Sequence, residues 1–191
     1  MSVWLVTRRK VLEGLCGTVV SVAAMGVAGF LRVPLAEAAA PVAMNWLELH
    51  NIHTDETLKV TFRDDTGFVQ AALEPLDKIL FDQRSGEHHA MDPQLYVLLA
   101  DLAAAAEVEP RYDVISGFRS SESNEKMRSA GGGQAKNSQH IQGKAIDVRL
   151  KGVTTARLRD LAVGLKRGGV GYYAKSDFVH VDTARVRYWE G

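Results

Sequence analysis

Two strings in this 191-residue chain combine residue types that can do chemistry. The first is Ser138-Gln139-His140-Ile141-Gln142-Gly143-Lys144-Ala145-Ile146-Asp147, and the second is Asp177-Phe178-Val179-His180-Val181-Asp182. Histidine offers a neutral nitrogen and aspartate an anionic oxygen, both good zinc ligands. His140, Asp147 and His180 together would leave a fourth tetrahedral position for water, which is the arrangement of a catalytic rather than a structural site. Spacing alone does not decide the matter: H-x6-D recurs by chance, and His140 read by itself is equally an ordinary surface histidine. The single cysteine, Cys16, excludes a disulfide within the chain and any Cys-rich zinc or iron–sulfur site. A metal must therefore draw on the six histidines and the carboxylates.

The elements that would position these residues can be read from periodicity. Gly143 breaks helical continuation, so His140 is expected to be offered from a loop. Asp147 follows on a strand over residues 145–150, on the face shared with Ala145, whose small side chain leaves room over the sheet. Val179 and Val181 face one side of another strand and His180 and Asp182 the other, so the valines pin the register and turn His180 away from the core. Alternation over 46–50 and 58–62, around a turn-like 51–56, predicts a hairpin. Helices are expected over 68–81, with Pro75 as a local breaker, over 92–107 with Pro93 at the first position, and over 122–129 behind a cap at Ser120 or Ser121. A last helix over 154–166 is stopped by Gly168-Gly169. Short strands fill 112–116, 170–173 and 178–181. This order predicts an α+β domain with a small, mainly antiparallel sheet.

The charge is uneven. The chain has 23 Lys+Arg and 23 Asp+Glu, so it lacks the basic excess of a nucleic-acid binder. Four of the basic residues (Arg8, Arg9, Lys10, Arg32) and two of the acidic ones (Glu13, Glu37) fall in residues 1–40. The remainder holds 19 and 21, a net charge of −2. Arg8-Arg9-Lys10, an uncharged run over 14–31 and Ala38-Ala39-Ala40 describe an export signal, and the paired arginines resemble the twin-arginine type. Residues 1–40 are thus expected to be that signal and 41–191 one working domain in the periplasm, with no membrane span after signal removal. Cys16 leaves with the signal. A retained anchor is the alternative.

The pattern S-x-H-x-x-G-x-A-x-D, followed by D-x-x-H, resembles the zinc peptidases that cut wall peptides containing D-amino acids. Ile115-Ser116-Gly117-Phe118-Arg119-Ser120, Gly168-Gly169-Val170-Gly171-Tyr172-Tyr173, Phe178-Val179-His180-Val181-Asp182-Thr183 and Val186-Arg187-Tyr188-Trp189 are more narrowly similar to the murein endopeptidase K branch of the M15 superfamily, over essentially the whole chain. The resemblance implies a hedgehog/D-Ala-D-Ala-peptidase-like zinc fold, Zn2+ on His140, Asp147 and His180, and peptidoglycan stem peptides as substrate. It implies an endopeptidase acting as a monomer, with D,D-carboxypeptidase activity or a non-catalytic wall-peptide-binding module as alternatives.

By the same resemblance Asp177 matches the general base. Three residues from His180 on an extended chain, it reaches the same face only if the strand bulges. Asp182, two residues away, is the alternative, either as base or as the carboxylate that orients His180. Arg119 is expected either to clamp a substrate carboxylate, polarise the scissile carbonyl or hold the oxyanion, or to form a structural salt bridge to Asp147 or the chain terminus. Ser138 supports the His140 loop. His50, His53, His88 and His89 read as uninvolved. Tyr172, Tyr173, Tyr188 and Trp189 either line a groove or pack in the core.

Overall fold

The computed structural model describes residues 44–191. The expected export signal and Cys16 lie outside the described residues. The chain begins with the hairpin β1 (Trp46–Asn51) and β2 (Glu56–Thr61), then a small hairpin, β3 (Arg63–Asp64) and β4 (Gly67–Phe68). Helices α1 (Gln70–Ile79) and α2 (Pro93–Ala106) precede β5 (Arg111–Ser116) and α3 (Ser121–Ser129). A 3-10 turn over Gln139–Gln142 leads into β6 (Ala145–Leu150), α4 (Thr155–Leu165), β7 (Gly169–Tyr173), β8 (Phe178–Asp182) and β9 (Arg187–Glu190).

Seven strands form one sheet in the order β2-β1-β5-β6-β8-β7-β9. It is larger than expected and mixed: β1–β5 and β7–β9 pair in parallel, and the other neighbours are antiparallel. The α+β expectation and the antiparallel majority hold. The parallel pairs depend on which strands meet across long connections, which alternation within a strand does not encode.

Side-chain alternation splits the sheet into two faces. Leu47, Leu49, Tyr112, Val114, Ile146, Val148, Val179 and Val181 are buried in one core with Leu95, Leu99 and Leu102 of α2 and Leu158 and Ala162 of α4. Burying each such aliphatic side chain stabilises the fold by roughly 1.5–3 kcal/mol before entropy is charged against it. The opposite face carries His50, Asp113, Asp147, His180 and Asp182. Helix starts follow their caps. Asp92 accepts from Gln94 N ahead of Pro93, Ser120 from Ser123 N, and Thr154 from Arg157 N. Pro75 lies inside α1 and does not end it. The carbonyl it leaves unpaired belongs to Ala71 on the exposed side, where solvent can satisfy it. Among the described residues no helix is long and apolar enough to cross a membrane.

Candidate metal centre

Asp147 on β6 and His180 on β8 are direct cross-strand partners, so their side chains rise side by side from the same face. Ala145 pairs with Asp182 in the same ladder. His140 comes from the 3-10 turn, where Ser138 caps the backbone N–H of His140 and Gly143 closes the turn at φ 64°. No side chain fits at Gly143, because a Cβ would lie 2.5 Å from the Ala90 carbonyl oxygen. His140 therefore sits on a short helical turn rather than a loop, and it is buried along with Asp147 and His180.

Three atoms converge here. His140 Nε2 lies 3.1 Å from His180 Nδ1, His180 Nδ1 lies 2.9 Å from Asp147 Oδ1, and His140 Nε2 lies 3.3 Å from Asp147 Oδ1. The edge of a tetrahedron with ~2.05 Å metal–ligand bonds is about 3.3 Å, so the set fits zinc with little movement. The outward nitrogens fix the tautomers. His140 Nδ1 donates to the Gly117 carbonyl at 2.6 Å, and that acceptor has no proton to give. His180 Nε2 donates to Asp182 Oδ2 at 3.1 Å. Both inward nitrogens thus present lone pairs toward a carboxylate oxygen, and only a cation or a proton relieves that convergence.

The charges agree. Burial opposes charge on His180, but hydrogen bonds to Asp147 and Asp182 outweigh it and hold its pKa above the ordinary value. Burial would raise Asp147, yet the two histidines keep its carboxyl far below the usual range. Asp182 is 0% exposed. It accepts from Gly169 N, Ala184 N and Arg187 as well as His180. Against its burial, these bonds hold it ionised well below the ordinary carboxylate range. Its two oxygens are thus engaged by four donors behind the His180 ring.

The structure does not bring Asp177, the residue matched to the general base, into the cluster of His140, Asp147 and His180. β8 runs Phe178–Asp182 in unbroken register with β6 and β7, so no bulge turns Asp177 toward His180. Asp177 instead adopts φ 52° in the β7–β8 turn. There it accepts from the Thr155 hydroxyl at the start of α4 and pairs with Arg149 at 3.3 Å. It is placed to hold that turn against α4.

Arg119 does reach the site. A bulge in β5 between Val114 and Ser116 brings Ser116 opposite Asp147, and the chain then passes Gly117 into α3. Arg119 is 7% exposed, and its guanidinium lies 3.9 Å from Asp147 Oδ2. Its bonds to Asn124 and Ser116 are long, 3.5 and 3.4 Å, and its Nε is unpartnered. Burial lowers its pKa, against the pull of Asp147.

The other histidines lie apart from the cluster. His50 pairs with Asp113 and Asp55, His53 meets the Ile115 carbonyl, and His88 and His89 stack on Phe81 and Phe118. The four aromatics divide by strand parity. Tyr172 packs against the core and Tyr188 is exposed. Tyr173 joins the face of Gly171 and His180, and the Trp189 ring lies 5.1 Å from the His180 ring. Strand β9, which delivers Trp189 and places Arg187 on Asp182, was missed in the sequence. Its only signal was the alternation Arg187, Trp189 against Tyr188, Glu190.

A family model described as peptidoglycan L,D-endopeptidase MepK, of the M15 peptidases, matches residues 39–189. The peptidoglycan L,D-endopeptidase MepK of Escherichia coli K12 is 36% identical over 143 residues, covering 75% of this chain and 79% of that protein. The probable peptidoglycan L,D-endopeptidase MepK of Haemophilus influenzae is 42% identical over 150 residues, covering 76% and 78%. No solved structure matches. With a family match spanning most of its length and relatives at this identity, the chain belongs to the MepK branch of the M15 peptidase family.

Proposed function

We propose that this chain is an exported, zinc-dependent endopeptidase that hydrolyses peptide cross-links of peptidoglycan. The observation that carries the reading is the convergence of His140 Nε2, His180 Nδ1 and Asp147 Oδ1 within 3.3 Å, in a chain of a peptidoglycan endopeptidase family. When bound there, zinc would supply Lewis acidity to the scissile carbonyl and acidify the attacking water. The protein's own groups do the rest. Gly117 and Asp182 keep the two imidazoles in the ligating tautomer, and Arg119, under-bonded beside Asp147, is free to take an anionic oxygen of the substrate. The reading takes the protein to act as a monomer.

In this reading residues 1–40 are a twin-arginine export signal and 41–191 the peptidase domain of a periplasmic protein. The support is Arg8-Arg9, the uncharged run, the alanines at 38–40 and a family match that begins at residue 39. N-terminal sequencing of the protein recovered from the periplasm is expected to begin after Ala38 or Ala40. An intact leader there would contradict cleavage.

Chromatography of muropeptides tests the activity. Cross-linked sacculi incubated with the protein are expected to yield separated stems, and a chelator is expected to stop it. Release that survives metal removal would sink the zinc mechanism. Free D-alanine without separation of stems would make the enzyme a carboxypeptidase instead.

A further inference from the structure

The β7–β9 edge carries a second polar group onto the triad's face of the sheet. Gly171 is the cross-strand partner of His180 and the parallel partner of Trp189. A Cβ on Gly171 would lie 2.6 Å from two atoms of the Trp189 ring, so the missing side chain is the space the indole occupies. The indole leans on His180, and its Nε1–H donates to the Tyr173 hydroxyl at 3.0 Å. Tyr173 stands two residues beyond Gly171 on the same strand and so shares its face. Its ring is fixed by stacking on Phe178 at 4.5 Å.

The phenol's lone pair is therefore occupied and its direction set, while its own proton has no acceptor among the described residues. A half-buried phenol in this state is an oriented donor without a partner.

Resting on the endopeptidase reading, we infer that Tyr173 is a catalytic residue. Its hydroxyl donates a hydrogen bond to the substrate's scissile carbonyl oxygen, and Trp189 is the positioning residue that aims it. Charge grows on that oxygen as water adds, so a preset donor stabilises the transition state more than the bound peptide. No proton needs to leave the phenol, and the donor works as a neutral group.

The test compares the zinc-loaded wild type with Tyr173→Phe, Trp189→Phe, the double variant and Tyr172→Phe, whose ring faces the core. Tyr173→Phe is expected to lower kcat on muropeptide dimers by roughly 10²-fold. KM should stay within about twofold, and zinc content should be unchanged. Its affinity for a phosphinate pseudodipeptide, which mimics the tetrahedral adduct, should drop by at least about tenfold, with affinity for the cleaved stem product unaffected. Trp189→Phe should lose less and add little in the double variant, because both act through one hydroxyl. Tyr172→Phe should match the wild type. A Tyr173→Phe protein with wild-type kcat and phosphinate affinity overturns the inference. The chelated wild type reports separately on the underlying reading: release that survives chelation overturns zinc hydrolysis, whereas chelator-sensitive release with a fully active Tyr173→Phe variant overturns only the role of Tyr173.

Discussion

Two cross-strand pairs of histidine and aspartate stand on the same face of the sheet. His50 opposes Asp113 across β1 and β5, and His180 opposes Asp147 across β8 and β6. The pairs are alike in residue type, in strand geometry and in ring nitrogen, since each joins Nδ1 to a carboxylate at 2.9 Å. They differ in what holds the second nitrogen and in what arrives as third partner. His50 turns Nε2 to Asp55, so both nitrogens are spent on separate acids, and Lys151 adds a cation to Asp113. The result is a solvated ion-pair cluster. His180 turns Nε2 to the buried Asp182, and the third partner is His140, which brings a further lone pair to the same point. What makes the inner pair a candidate ligand set is shared direction and burial, since the residue types are the same in both.

The contrast can be broken first at Asp182. Asp182→Asn keeps the shape but removes the charge that orients His180, and zinc affinity is expected to fall roughly 10- to 100-fold. Competition against a chromophoric chelator reads this directly, and excess zinc should restore part of the muropeptide release. Unchanged affinity would show that His180 needs no orienting carboxylate.

The smaller effect lies at the outer pair. Its two carboxylates raise the His50 pKa above the ordinary value of about 6.5. A raised folded pKa means the charged pair stabilises fully below about pH 6.5 and loses that contribution as pH rises through the folded value. His50→Ala should therefore lower Tm at pH 6 by more than at pH 8. The cost should stay under about 1 kcal/mol because the cluster is exposed, and muropeptide release should be unaffected. A pH-independent loss, or a fall in release, would show that the outer pair is more than a surface cluster.

Much of the site was legible because local patterns determine it. Valines at 179 and 181 put His180 and Asp182 on one face. The step from Ala145 to Asp147 placed the carboxylate beside them, and serine, threonine and proline caps marked the helix starts. Asp177 was not legible in this way, because it precedes β8 and sits in a turn at φ 52° that strand parity does not govern. What the sequence could not show were long-range pairings. β9 exists as a strand because β7 offers it a parallel edge, and its four residues include two charges and an exposed tyrosine. The β5 bulge that brings Ser116 beside Asp147 is likewise a property of the β5–β6 register. The triad was thus readable, while the Trp189–Tyr173 side of the site required the fold.

Whether the inner cluster holds zinc is decided by counting metal. Elemental analysis of the protein after dialysis against limiting zinc should give one zinc per chain for the wild type and for His50→Ala, and none for His140→Ala. Stoichiometric zinc in His140→Ala, or a wild type that takes up none, would contradict the account.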